Sequence, residues 1–251
     1  MLLSVMKSSA DVGIYGAAYK VLENITFFPA MIMGLIMPIM SQSIFSNRKK
    51  FEDISNKTFK IFLILTVPLI IGILFLAPAI MNIVGGSEFS ESSDVLRILV
   101  FALSAIFFGM FFSSMLIAGN QQKKLLFVWV LAAIINIASN LLFIPKFSYF
   151  AAASASVGTE IFVAIATFVL VAKNLKYYPR PESFLKIAGS GAIMAGFLGL
   201  ARDMNFFIAA VGSGLVYFLF LWLFKAVEAS EITSIISKKG VKEYPGKGIS
   251  A

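Results

Sequence analysis

Seven stretches of the chain are nearly free of formal charge, and short polar segments separate them. They fall at about residues 12–44, 61–84, 95–118, 125–144, 150–172, 187–200 and 206–224. A helix needs about 20 largely apolar residues to cross a bilayer, so the pattern predicts an all-α, polytopic transmembrane bundle of about seven spans. The sixth stretch is the shortest and carries Gly189, Gly191, Gly196 and Gly199. Those glycines and the AAASAS run of the fifth stretch would let helices approach closely. Pro29 and Pro38 fall within the first span, and Pro68 and Pro78 within the second. Each removes a backbone donor and is expected to bend its helix. Pro145 closes the fourth span, and a short PKFSY turn leads to the fifth. Gly85-Gly86 reads as a turn.

The ends read differently. MLLSVMKSS is too short for a span and lacks the cleavage region of a signal peptide, so it is expected to be the tail of an earlier helix. Residues 227–251 form a polar, basic tail in which Glu228 to Ser237 could make a short interfacial helix.

Composition agrees with the pattern. The chain is 59% hydrophobic, with a mean hydropathy of +0.90 and no break that would mark a second folded domain. It contains no cysteine and no histidine. That excludes disulfides, thiolate metal sites, Cys or His nucleophile–base pairs and histidine relays. No metal-ligand cluster, catalytic triad or nucleotide fingerprint is legible, so neither an enzyme nor a cofactor is expected.

The net charge of +8 could suggest nucleic acid, but its placement argues for topology. The segments after spans one, three, five and seven hold 16 of the 21 Lys and Arg residues. Positive residues stay cytoplasmic, which sets the N-terminus outside and the C-terminus inside a multi-pass cell-membrane protein. The basic loops would lie against anionic lipid headgroups, and no nucleic-acid partner is expected.

The candidate chemistry lies inside the spans. Lys20 and Glu23 are three apart on one helical face, roughly 9 and 14 Å into the membrane at the helical rise. Asn136 and Asn140 share a face of the fourth span at roughly 14 and 8 Å depth, and Glu160 lies roughly 15 Å from the outer side of the fifth. Intramembrane charge is costly and normally faces a partner or a wet cavity. Similar depth suggests a shared hydrated transport cavity for Lys20, Glu23, Asn136, Asn140 and Glu160. The plainer reading pairs Lys20 with a carboxylate and makes the asparagines interhelical glue, and for the asparagines that reading is favoured. Two carboxylates against one ammonium leave a surplus acid able to bind a proton or cation. Asp94 and Arg97, at the mouth of span three, are expected to form a surface pair.

Three stretches together resemble a known family. DVGIYGAAYKVLENITFFPAMIMGLIMPIMSQ is similar to the first helix of the C-terminal lobe of polysaccharide-transport (Wzx-like) flippases, in the superfamily that also holds MurJ and MATE transporters. DVLRILVFALSAIFFGMFFSSMLIAGNQQKKLL resembles that lobe's third helix and following loop. NIASNLLFIPKFSYFAAASASVGTE resembles its signature of paired Asn, Ile-Pro, short turn, small residues and Glu. In it, Ser148 and Ala151 stand where turn glycines are usual, and Ser156 where a Thr is common.

The resemblance implies a C-terminal lobe plus the final helix pair of a two-lobed transporter, with an N-terminal half as missing partner. It implies flipping of a lipid-linked oligosaccharide to the outer leaflet by alternating access, for surface polysaccharide assembly. In that setting Lys20 would contact pyrophosphate or steer an anionic headgroup, Glu23 would tune it, and Glu160 would bind a coupling proton or sodium ion. Asn136 and Asn140 would bond sugar hydroxyls or hold helices. Alternatives are a MATE-type cation-coupled antiporter, a seven-helix receptor or retinal protein, a membrane glycosyltransferase, and a non-transporting fragment. The loops are too short for the glycosyltransferase, and span seven has no lysine for a Schiff base.

Overall fold

The computed structural model describes residues 2–180 and 183–226. The expected basic tail, 227–251, with its expected interfacial helix from Glu228 to Ser237, lies outside the described residues. Among the described residues eight α-helices follow one another: α1 Leu2–Met6, α2 Ser9–Ile25, α3 Phe27–Ser46, α4 Arg48–Gly85, α5 Ser92–Ala118, α6 Gln122–Asn174, α7 Phe184–Leu200 and α8 Phe206–Leu223, with a 3-10 turn Ser87–Phe89 before α5. Among the described residues five stretches are long and apolar enough to cross a membrane (α2 with α3, α4, α5, α6 and α8), and α7 is a shorter apolar helix.

The boundaries differ from the expected ones in physically simple ways. The first span divides at Thr26, three residues before Pro29, whose ring takes away a helical donor. The expected fourth and fifth spans are the two arms of α6. They part at Ser148, where φ 46° and ψ −128° turn the chain inside the PKFSY segment. The second span is continuous with the polar segment before it, because Asn47 caps that segment by accepting from the Lys50 amide at 3.0 Å. Gly86 ends α4 at φ 79°, a backbone open to glycine at no steric cost, so the expected turn is present.

α5 is the centre. It buries Leu96, Leu99, Leu103, Phe107, Phe111 and Met115, and packs on α2, α3, α4 and α6. Phe59 and Phe62 of α4 meet Phe107, Phe108, Phe111 and Phe112 at centroid separations of 5.3–6.4 Å, a geometry favoured by aromatic quadrupoles. A second cluster joins α4 to α7 and α8 through Ile187, Met194, Leu198, Tyr217 and Leu221. α7 approaches α4 closely at Gly191, where a Cβ would come within 2.5 Å of a Val67 methyl. Phe207, Val211, Leu215 and Trp222 of α8 are exposed, as a face toward lipid acyl chains requires.

Both prolines of α4 leave a carbonyl without its helical donor, and a neighbouring helix satisfies each one. Pro68 frees the Ile64 carbonyl, which accepts from the Tyr217 hydroxyl of α8 at 2.9 Å. Pro78 frees the Leu74 carbonyl, which accepts from Arg97 Nε of α5 at 3.1 Å. The same Arg97 makes the expected pair with Asp94, at 2.7 Å.

The two ends of the bundle differ in charge as the loop pattern requires. At one end Arg48 donates to the carbonyls of Leu175 and Lys176 at 2.7 and 2.8 Å, and Lys124 reaches Asn174. There Asn56 Oδ1 accepts from the Tyr177 hydroxyl at 2.9 Å and the Arg180 amide at 3.2 Å. Burial pushes the Tyr177 phenol above its ordinary pKa, so it stays a neutral donor in that bond. At the other end Lys7 donates to the Pro145 carbonyl at 3.0 Å, and Tyr149 to Glu91 at 2.8 Å.

Candidate functional site

The polar residues of the spans fall into two groups, set by which face of α6 they occupy. The first lies between the arms of the α6 hairpin. Asn140 Nδ2 donates to the backbone and side-chain oxygens of Asn136, at 2.8 and 3.0 Å. Asn136 Nδ2 donates across the hairpin to Thr159 Oγ1 at 3.0 Å, and Thr159 donates to the Ala155 carbonyl at 2.7 Å. This chain of four residues ties one arm to the other, as interhelical hydrogen bonds do in membranes.

The second group lies between α2 and the second arm of α6. Tyr15 of α2 shares a hydrogen bond of 3.1 Å with Ser156, which is anchored on the Ala152 carbonyl at 3.0 Å. Tyr15 and Tyr19 stack with centroids 5.6 Å apart. One turn beyond Ser156 stands Glu160, and one turn beyond Tyr19 stands Glu23; the Tyr19 hydroxyl lies within electrostatic reach of both carboxylates. Tyr15, Tyr19 and Glu23 thus form a file on one face of α2, opposite a file of Ser156 and Glu160 on α6. Ser156, at the position noted for a common Thr, is the residue that joins the files.

Lys20 stands on an exposed side of α2, and Glu23 is also exposed, while Glu160 is half-buried. Among the described residues no ion pair joins Lys20 to Glu23 or Glu160. The structure therefore brings Asn136 together with Asn140, and sets Glu160 one turn beyond the Ser156 that bonds Tyr15. It leaves Lys20 beside that file without a carboxylate partner. Among the described residues no three His, Cys, Asp or Glu side chains gather to hold a metal ion.

Sequence reasoning passed over Tyr15, Tyr19 and Thr159, and noted Ser156 only as a departure from the family signature. The signal was present: Tyr15, Tyr19 and Glu23 repeat every four residues, as do Ser156 and Glu160. Chemically, the double file is a strip of hydroxyls and carboxylates in an apolar wall, able to pass or hold a small cation and to hydrogen-bond a polyhydroxylated ligand.

The fold recurs in known proteins. A solved structure titled "Lipid II flippase MurJ, inward closed conformation" superposes with a TM-score of 0.67 at 18% identity, over 94% of this chain and 52% of that one. A "Probable low-salt glycan biosynthesis flippase Agl15" of Haloferax volcanii is 26% identical, over 94% of this chain and 52% of that protein. The chain thus spans about half the length of each. The sequence profile of the family described as "Lipid II flippase MurJ" matches residues 6–224, which carry every helix from α2 to α8. That family sits in the superfamily whose flippases the sequence resembles, and the chain is a multi-pass membrane protein belonging to the MurJ lipid II flippase family.

Proposed function

We propose that this chain is the C-terminal lobe and final helix pair of a two-lobed flippase. The assembled protein moves a lipid-linked oligosaccharide from the cytoplasmic to the outer leaflet by alternating access, for cell-surface polysaccharide assembly. In this reading the N-terminus is outside, the basic end of the bundle is cytoplasmic, and an N-terminal lobe on the same or another polypeptide faces α2.

The observation that carries the reading is the polar file on α2 and α6, with exposed Lys20 and Glu23 in an otherwise apolar membrane segment. A charge at that depth is sustained by a wet cavity or by a partner, and a second lobe facing α2 supplies both. Lys20 contacts the pyrophosphate of the substrate. Glu23 sets the potential around it, and Glu160 binds the coupling proton or sodium ion. Asn136 and Asn140 hold the hairpin, in keeping with their mutual hydrogen bonds.

The test is reconstitution of this chain with a family N-terminal lobe in vesicles holding a fluorescent lipid-linked oligosaccharide. Transport is read as the labelled headgroup becoming accessible to an impermeant quencher. Transfer that slows at least tenfold in Lys20→Ala supports the reading; transfer unchanged in Lys20→Ala removes the pyrophosphate role.

A further inference from the structure

The α6 hairpin carries a groove that the flipping reading does not use. Between its arms, Phe127 and Leu131 face Phe162, Ile165, Ala166 and Val169 across a cavity of about 580 Å³. That volume falls within the roughly 300–1,000 Å³ of small-molecule sites. Ser156, which bonds Tyr15 of α2, and Glu160 one turn beyond it lie on another side of the second arm. The groove is open outward: Phe127 is 70% and Ile165 58% exposed.

An apolar groove in a bilayer accepts any acyl chain and by itself selects nothing. Charge at its mouth distinguishes this one. Lys123 and Lys124 both line it, and no acidic side chain does. Lys124 reaches across to Asn174 at the end of the other arm, which fixes its ammonium at the rim. The lysines stand at the end of the bundle that also holds Arg48, Lys176 and Arg180, where phosphate headgroups of the adjoining leaflet would lie.

We propose that this groove is a binding site for an anionic membrane phospholipid, with one chain between the arms of α6 and its phosphate at Lys123 and Lys124. Ala166 is the smallest side chain lining the groove, so added bulk there would narrow it. The site is independent of substrate flipping and persists whether or not the chain transports.

The test is native mass spectrometry of the purified full chain in mild detergent, titrated with phosphatidylglycerol, phosphatidylcholine or a polyprenyl phosphate. Phosphatidylglycerol is expected to be retained over phosphatidylcholine, with loss of about fivefold in affinity for each lysine removed in Lys123→Ala and Lys123→Ala/Lys124→Ala. Ala166→Phe is expected to reduce retention with both lysines present. Both lysines are exposed, so the double variant keeps the fold and decides the matter if Ala166→Phe does not fold. Equal retention of the two phospholipids, or retention unchanged in the double variant, overturns the proposal. Tighter, lysine-dependent binding of the polyprenyl phosphate overturns it in favour of a carrier-lipid site.

Discussion

The Tyr217 hydroxyl donates at 2.9 Å to the Ile64 carbonyl, the one backbone acceptor that Pro68 strips of its helical partner. Tyr217 is fully buried, so no lipid-side water competes for that carbonyl. Tyr217→Phe keeps the ring and removes the donor. It should cost about 0.6 kcal/mol, the average for interhelical hydrogen bonds in membranes, and at most about 1.7 kcal/mol. Pro68→Ala restores the amide of residue 68 to the same carbonyl. Unfolding in a detergent titration should therefore show the Tyr217→Phe penalty shrink in the Pro68→Ala background; equal penalties in both backgrounds would sever the link.

Arg97 performs the same service one helix away. It bonds the Leu74 carbonyl at 3.1 Å beside Pro78, and Asp94 at 2.7 Å. Asp94 is exposed, so Asp94→Asn should change stability by less than about 1 kcal/mol. Arg97→Ala should cost more than Asp94→Asn, since it leaves a carbonyl unsatisfied. The reverse order in a thermal unfolding series would show that Arg97 acts through Asp94 alone.

Ser148 turns α6 at φ 46° and ψ −128°, a conformation that costs an L-residue about 1–3 kcal/mol and glycine little. Ser148→Gly should therefore raise the unfolding free energy by about 1 kcal/mol, and Ser148→Val should lower it. A neutral or destabilising Ser148→Gly would mean that its hydroxyl offsets the strain.

Asn136, Asn140 and Thr159 act as one unit. Asn136→Ala should cost nearly as much as Asn136→Ala/Asn140→Ala, because Asn140 donates to the Asn136 side chain and Asn136 alone crosses to Thr159. Additive penalties from a double-mutant cycle would place the two asparagines in separate interactions.

Much of this architecture was legible along the chain because a membrane fold is dictated by the length of apolar runs. The turn at PKFSY, the Asp94–Arg97 pair and the close approach of span six follow from local spacing, and the last rests on Gly191. What spacing could not give is which helix faces which. Lys20 and Glu23 share a face by periodicity, as do Tyr15, Tyr19 and Glu23, yet only the packing of α2 on α6 shows that the tyrosine face meets Ser156. The carbonyls freed by Pro68 and Pro78 were predictable by counting back four residues. Their partners, Tyr217 and Arg97, belong to other helices and required the fold.

In the proposed flippase, the file of Tyr19, Glu23 and Glu160, with Lys20 beside it, borders the substrate path. The chain has no cysteine, so single cysteines can be placed at will. The most direct measurement is labelling of Glu23→Cys and Lys20→Cys by a membrane-impermeant maleimide in the chain assembled with an N-terminal lobe, with and without lipid-linked oligosaccharide. Labelling that the oligosaccharide slows, against none at the lipid-facing Leu215→Cys, is the predicted result. Labelling of Glu23→Cys and Lys20→Cys no greater than that of Leu215→Cys, or indifferent to the oligosaccharide, would place the file away from the substrate path.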